Sequence, residues 1–82
     1  MNNIKPPKRG SEVFMDKYIL TKREKEVFIL LVSNKSTKEI AKELGISEKT
    51  VRNHISNAMQ KLGVKGRAQA VVELLRMKII SI

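Results

Sequence analysis

The amino-acid sequence predicts an all-α fold of four helices, because helix-start signals repeatedly precede segments with a helical apolar period. Thr21 and Glu24 have the spacing of one capping box, and Ser36 and Glu39 have that of a second. A helix stop at Gly45 is followed only two positions later by the next helix start. No segment has the strict alternation that is typical of a strand, so helices account for the regular structure.

The size and the charge of the chain restrict its function. With 82 residues it is expected to form one domain, whose core is too small for a deep catalytic pocket. There are 17 Lys and Arg residues against 8 Asp and Glu residues, which gives a net charge of +9. Residues 34–66 hold nearly half of this excess. Such an imbalance favours a polyanionic partner, either nucleic acid or an acidic membrane surface.

The composition disfavours several other classes of function. Without cysteine there is no disulfide and no thiolate chemistry, and His54 alone cannot form a zinc site of the usual kind. We therefore predict no metal, no cofactor and no catalytic residue. No apolar run approaches the ~18 residues that a membrane span needs, and the polar N-terminus is unlike a signal peptide. These features predict a soluble cytoplasmic protein without a membrane partner.

The chain is predicted to consist of a tail and a helical domain. Residues 1–17 contain Pro6, Pro7 and Gly10 among scattered charges, so we expect them to form a mobile tail. Residues 18–82 are predicted to form the domain.

The first two helices each begin at one of the capping boxes. The first is predicted from Lys22 to about Ser33, with Asn34 as its stop. Its apolar face comprises Val27, Phe28, Leu30 and Leu31. The second is predicted from about Thr37 to Leu44.

A tight bend joins the second and third helices. Only Ile46 separates the stop at Gly45 from the N-cap Ser47, and Ile46 and Val51 have the spacing of a hydrophobic staple. The third helix is predicted over residues 48–62 and stops at Gly63. Helix, glycine-containing bend and helix make the pattern of a helix-turn-helix.

The third helix has two unlike faces. Three apolar residues, Ile55, Ala58 and Leu62, lie within about 40 degrees of Val51, and the four face the core. The other face carries Lys49, Asn53, Ser56 and Gln60, with Thr50 and Asn57 on one flank and Arg52 on the other. Arg and Lys suit guanine, Asn suits adenine, and short hydroxyl side chains allow close approach. The N-terminal half of this face is therefore predicted to read bases in the DNA major groove, the alternative being a merely solvated face.

Further polar residues lie around the helix ends, where a DNA backbone would pass. The predicted phosphate contacts are Thr37, Lys38, Ser47, His54, Asn57, Lys61, Lys65 and Arg67. For each basic residue the alternative is a solvated surface charge, and for His54 it is a packing role.

The fourth helix begins near Gly66 or Arg67, runs to about Ile79 and is apolar on two sides. One stripe is predicted to close the core and consists of Ala68, Val71, Val72, Leu75 and Ile79. The opposite stripe, Ala70, Leu74 and Met77, has no evident partner and is predicted to form a dimer interface. The alternative is that this second stripe packs against the segment around Phe14 and Tyr18.

Four short motifs resemble the LuxR-type helix-turn-helix family, also known as the FixJ/NarL type. They are LT-x-RE-x-EV from Leu20, EIA from Glu39, TV-x-x-H from Thr50 and KL from Lys61. The likeness covers about residues 20–80, nearly the whole chain apart from the tail.

This resemblance implies a four-helix DNA-binding domain that forms a homodimer through its fourth helix. By position, the family's base contacts would fall on Arg52, Asn53 and Ser56, with Lys49 and Thr50 nearby. Within the family the chain is similar to a stand-alone sporulation regulator, which implies activation and repression of late spore-formation genes in the mother cell. RNA polymerase is then a candidate partner besides double-stranded DNA.

Two other readings compete with this one. Region 4 of a σ factor uses similar motifs, but it normally ends soon after its recognition helix, whereas here a long fourth helix follows Gly63. A helical module that binds protein is disfavoured by the concentrated positive charge. No nucleophile, base and pocket occur together, so an enzyme is not expected.

Overall fold

A computed structural model describes residues 19–81, which form four α-helices. They are α1, Lys22–Val32; α2, Thr37–Leu44; α3, Glu48–Leu62; and α4, Arg67–Arg76. No strand occurs within residues 19–81, and the predicted all-α, four-helix fold is confirmed. The tail expected over residues 1–17 and the segment around Phe14 and Tyr18 lie outside the described residues.

Both predicted capping boxes are present and explain where α1 and α2 begin. The Thr21 hydroxyl accepts from the Glu24 amide at 3.1 Å, and the Glu24 carboxylate accepts from the Thr21 amide at 2.8 Å. Ser36 and Glu39 repeat the arrangement at 3.1 and 2.8 Å. Each box satisfies two amides that a helix N-terminus leaves without intrahelical partners.

The bend between α2 and α3 has the predicted left-handed glycine. Gly45 has φ 69°, and the amide of Ile46 donates to the Ala41 carbonyl at 3.0 Å. Apart from the adjacent residues of the chain, no atom lies within 4 Å of the position that a Cβ on Gly45 would take. A side chain would therefore fit here, and it is the left-handed backbone conformation that favours glycine. The Ser47 hydroxyl then accepts from the Thr50 amide at 3.0 Å, which starts α3.

Helix α3 lies at the centre of the fold and contacts each of the other three helices. Its predicted inner face is confirmed, with Val51 and Ala58 fully buried and Ile55 almost so. Val27 and Phe28 of α1 and Ile40 of α2 fill the same core. Because α3 is anchored along its whole inner face, its outer face is held in a fixed orientation.

The predicted dimer stripe of α4 proves to be the buried one, so that prediction is wrong. Ala70 and Leu74 are fully buried, with 0% of their surface exposed. Met77 is half-buried and packs against the same core. Side chains that already fill the core of one chain cannot form the surface of a second contact.

The stripe predicted to close the core is correspondingly the outer one. Val72 is 52% exposed, Ala68 is exposed, and Val71 and Leu75 are half-buried. Among these five residues only Ile79 is buried as predicted.

The end of the chain explains this orientation of α4. The helix stops at Arg76, three residues before the predicted end, and Lys78 takes a left-handed φ of 59°. The amide of Ile79 then donates to the Leu74 carbonyl at 2.9 Å. This turn brings Ile79 and Ile80 back onto the core, beside the Leu74 face of α4.

Candidate nucleic-acid interface

The outer face of α3 presents the predicted base-reading residues together. Lys49, Arg52, Asn53 and Ser56 are all exposed along two turns of the helix. Thr50 is half-buried. These side chains stand on the N-terminal half of α3, directly after the glycine bend, where a helix-turn-helix makes its base contacts.

The first turn of α3 is fixed by two hydroxyl groups. Besides capping the helix, the Ser47 hydroxyl lies 2.9 Å from that of Thr50. Both residues are predicted to contact DNA, and both also hold the start of α3 in place. Their capping role follows from local hydrogen bonds and does not depend on a bound ligand.

Arg52 forms an ion pair on the same exposed face, which the sequence analysis missed. Its Nη1 lies 3.6 Å from Oε1 of Glu48, one turn earlier. Both side chains remain about half exposed, at 54% and 45%. The signal was present in the sequence as a Glu–Arg pair four positions apart on a helix.

The predicted phosphate contacts lie at several helix ends. Lys38, Ser47, Asn57, Lys61, Lys65 and Arg67 are exposed, whereas Thr37 and His54 are half-buried. Thr37 and Lys38 begin α2, and Lys65 and Arg67 flank the start of α4. Over residues 19–81 no three side chains of the metal-binding types come together.

Lys61 is bound to a buried carboxylate, a contact that the sequence analysis also missed. Its Nζ lies 2.8 and 3.1 Å from the two carboxylate oxygens of Glu24, whose side chain is only 4% exposed. The pair joins the start of α1 to the end of α3. Lys61 therefore has a structural role. A DNA phosphate, the predicted partner of Lys61, would compete with Glu24 for its ammonium group.

The surroundings of Glu24 lower the pKa of its carboxyl group. Burial alone raises this pKa, but the hydrogen bond from Lys61, the bond from the Thr21 amide and the Lys61 charge together outweigh that effect. The net pKa lies below its ordinary value of 4.5. The ionised, paired form is thus favoured in the folded state.

Acid should weaken the domain through this group. Because the folded pKa of Glu24 is lowered, its contribution to the free energy of unfolding is complete above the ordinary pKa and is lost as the pH falls through the folded pKa. Urea unfolding of Glu24→Gln should therefore show lower stability at neutral pH and a smaller loss between about pH 5 and 3 than the natural chain.

Glu39 provides an internal reference for that comparison. The Ser36 amide lowers its pKa as well, and it is unchanged in Glu24→Gln. The difference between the two pH profiles therefore isolates Glu24. Parallel profiles would show that its ionisation is not linked to folding.

The exposed side of α4 borders a shallow groove. Its lining comprises Gly63, Val64, Lys65, Ala68, Gln69, Val72 and Glu73. Val72 is the most exposed large apolar side chain in the described part of the chain. This surface lies on the outer side of α4, away from Leu74, so it is open to another molecule.

No helix in the described part of the chain is long and apolar enough to cross a membrane.

Comparison with protein families gives a match to the model described as "Bacterial regulatory proteins, luxR family" over residues 18–74. The match includes the two capping boxes, the bend and the whole of α3. The resemblance inferred from the short motifs is thus confirmed.

Curated relatives include spore germination protein GerE of Bacillus subtilis (strain 168), with 81% identity over 64 residues. That alignment covers 78% of this chain and 86% of the relative. Transcriptional regulatory protein DegU of Brevibacillus brevis is 51% identical over 59 residues, or 72% of this chain, which spans only 25% of that protein.

A solved structure described as transcription factor GerE superposes with a TM-score of 0.75. It covers 77% of this chain and 94% of its own length, with 63% identity.

Proposed function

The chain belongs to the luxR family of bacterial regulatory proteins, and from this premise we propose that it reads duplex DNA by placing α3 in the major groove. It is a DNA-binding transcription regulator of the GerE type. The observation that carries the proposal is the row of exposed Lys49, Arg52, Asn53 and Ser56 on the N-terminal half of a helix anchored along its other side. Membership of this family displaces the σ-factor alternative, and the proposal includes no catalytic activity.

Each predicted base-reading residue has a proposed role. Arg52 and Lys49 donate to the two major-groove acceptors of guanine, and Asn53 pairs with adenine. Ser56 is short enough to let the helix approach closely. Thr50 contributes through its hydroxyl at the edge of the row, next to the cap of Ser47.

Phosphate contacts then fix the register of α3 in the groove. Side chains proposed to make them are Thr37, Lys38, Ser47, His54, Asn57, Lys65 and Arg67, which surround the row at helix ends. Lys61 is left out of this set because Glu24 occupies its ammonium group. Such contacts add affinity without sequence preference.

A homodimer is proposed through the outer face of α4. Ala68, Val72 and Leu75 lie within about 60 degrees of one another on this helix, and they replace the buried stripe as interface residues. A two-fold axis beside α4 would set two copies of α3 roughly 34 Å apart, which is one turn of DNA and favours inverted-repeat sites.

The biological setting is proposed from the relative's name. Spore germination protein GerE shares most of its length with this chain. Together with the resemblance to a sporulation regulator, this supports the proposal that this chain acts in spore formation, in the mother-cell cytoplasm. There it would activate some late genes and repress others. RNA polymerase is the proposed protein partner at activated promoters.

Salt dependence tests whether the positive charge is used on DNA. A dimer that neutralises about six to ten phosphates should give a slope of about −5 to −9 in a plot of log affinity against log salt concentration. The probe is the duplex that the protein itself enriches from a randomised pool, here termed the preferred duplex, and affinity is measured by fluorescence anisotropy. A slope of about −1 would contradict the proposed phosphate contacts.

A further inference from the structure

Glu48 is the only acidic residue of α3, and it lies beside Arg52 on the flank of the face proposed to meet DNA. Its position in the first turn is favourable for the helix, because the N-terminal end of a helix dipole is positive. Beside a phosphate backbone, however, a carboxylate is repelled. Its side chain is 45% exposed, so burial does not shield it from that repulsion.

The structure gives this carboxylate a specific contact. Glu48 Oε1 lies 3.6 Å from Nη1 of Arg52, with the acid one turn N-terminal to the base. This order suits the helix dipole, and an exposed pair at this spacing is weak enough to exchange partners. Within residues 19–81, Arg52 forms no other ion pair.

We propose that Glu48 is a positioning residue for Arg52 that sharpens the choice of DNA sequence; this rests on the proposed base-reading role of Arg52. In the free protein the pair holds the guanidinium on the flank of α3, beside the outer face. A guanine in the right place offers two acceptors in a fork that matches the guanidinium, and this contact offsets the loss of the pair.

Other DNA does not offer that compensation. Where the two acceptors are missing, Arg52 stays with Glu48 and donates less to phosphates. Random duplexes are thus penalised more than the preferred duplex, which is specificity obtained by disfavouring wrong partners.

The test compares Glu48→Gln with Glu43→Gln. Glu43 is exposed on α2 and has no ion pair among residues 19–81, so its replacement removes the same charge without touching Arg52. For Glu48→Gln the ratio of affinities for preferred and random duplexes should fall about twofold, the scale of an exposed ion pair at this spacing, mainly because random duplexes bind more tightly. The control should raise both affinities alike and keep the ratio.

A second arm measures whether Glu48 acts through Arg52. In an Arg52→Ala background, Glu48→Gln should no longer change the ratio, because the group to be positioned is gone. In the natural background, the lost discrimination should be confined to the base pairs at which Arg52→Ala also loses it. Circular dichroism verifies that all variants retain their helix content.

Three results would overturn the inference, and they differ in what else they reject. An unchanged ratio in Glu48→Gln rejects the positioning role alone. A loss that persists with Arg52→Ala means that Glu48 contacts a base itself, such as the amino group of cytosine. If Arg52→Ala leaves the ratio unchanged, the base-reading role of Arg52 fails and the inference fails with it.

Discussion

Replacing Leu74 with glutamate is expected to unfold the domain. Leu74 has no exposed surface, and the site offers no partner for a carboxylate within the described core. Burying an unpaired polar group costs several kcal/mol, roughly the whole stability of a domain of this size. Far-ultraviolet circular dichroism during a urea titration should show no cooperative transition, whereas the milder Leu74→Ala should lose about 2–5 kcal/mol.

Val72→Glu is the matched control, because it makes the same kind of change two residues away. With 52% of Val72 exposed, this variant should stay folded and change stability by less than about 1 kcal/mol. A folded Leu74→Glu beside an unfolded Val72→Glu would mean that α4 presents the opposite face to the core.

Val72→Glu should instead disrupt the DNA complex of a dimer. Two like charges would face each other across the proposed two-fold axis, so the second half-site contact would no longer be linked to the first. Affinity for a duplex with two half-sites should fall about 100-fold, while affinity for a single half-site stays nearly constant. Electrophoretic mobility shifts on the two duplexes measure this.

Ile29→Glu is the control for the added charge. Ile29 is 43% exposed on α1, so the same apolar-to-acidic change is made on another helix. Its small loss should be equal on both duplexes. A similar equal loss for Val72→Glu would place the dimer contact elsewhere.

Local signals were enough to predict most of the fold. Capping boxes, glycine stops and a 3.6-residue period each depend on neighbours within one or two turns, so α1, α2 and α3 begin where expected. The orientation of α4, in contrast, depends on residues outside the helix. Two apolar stripes of similar strength satisfy the same period, and the return of Ile79 and Ile80 decides which one is buried.

The candidate site was predictable to a similar degree. The exposed row on α3 follows directly from the buried Val51 and Ile55, because the two faces of a helix are complementary. The pair between Glu24 and Lys61 could not be foreseen, since 37 positions separate the partners. The capping box already explains a glutamate at position 24, so the sequence gives no indication of a second partner for its carboxylate.

The central claim is that α3 reads base edges. It is tested most directly by the affinities of Asn53→Ala for the preferred duplex and for random duplexes, taken as a ratio. The claim predicts a loss of about 1–3 kcal/mol on the preferred duplex and little change on random duplexes. Gln60→Ala, a truncation at the far end of the same face, should leave the ratio intact. Equal losses of Asn53→Ala on both duplexes would reduce Asn53 to a backbone contact and contradict the claim.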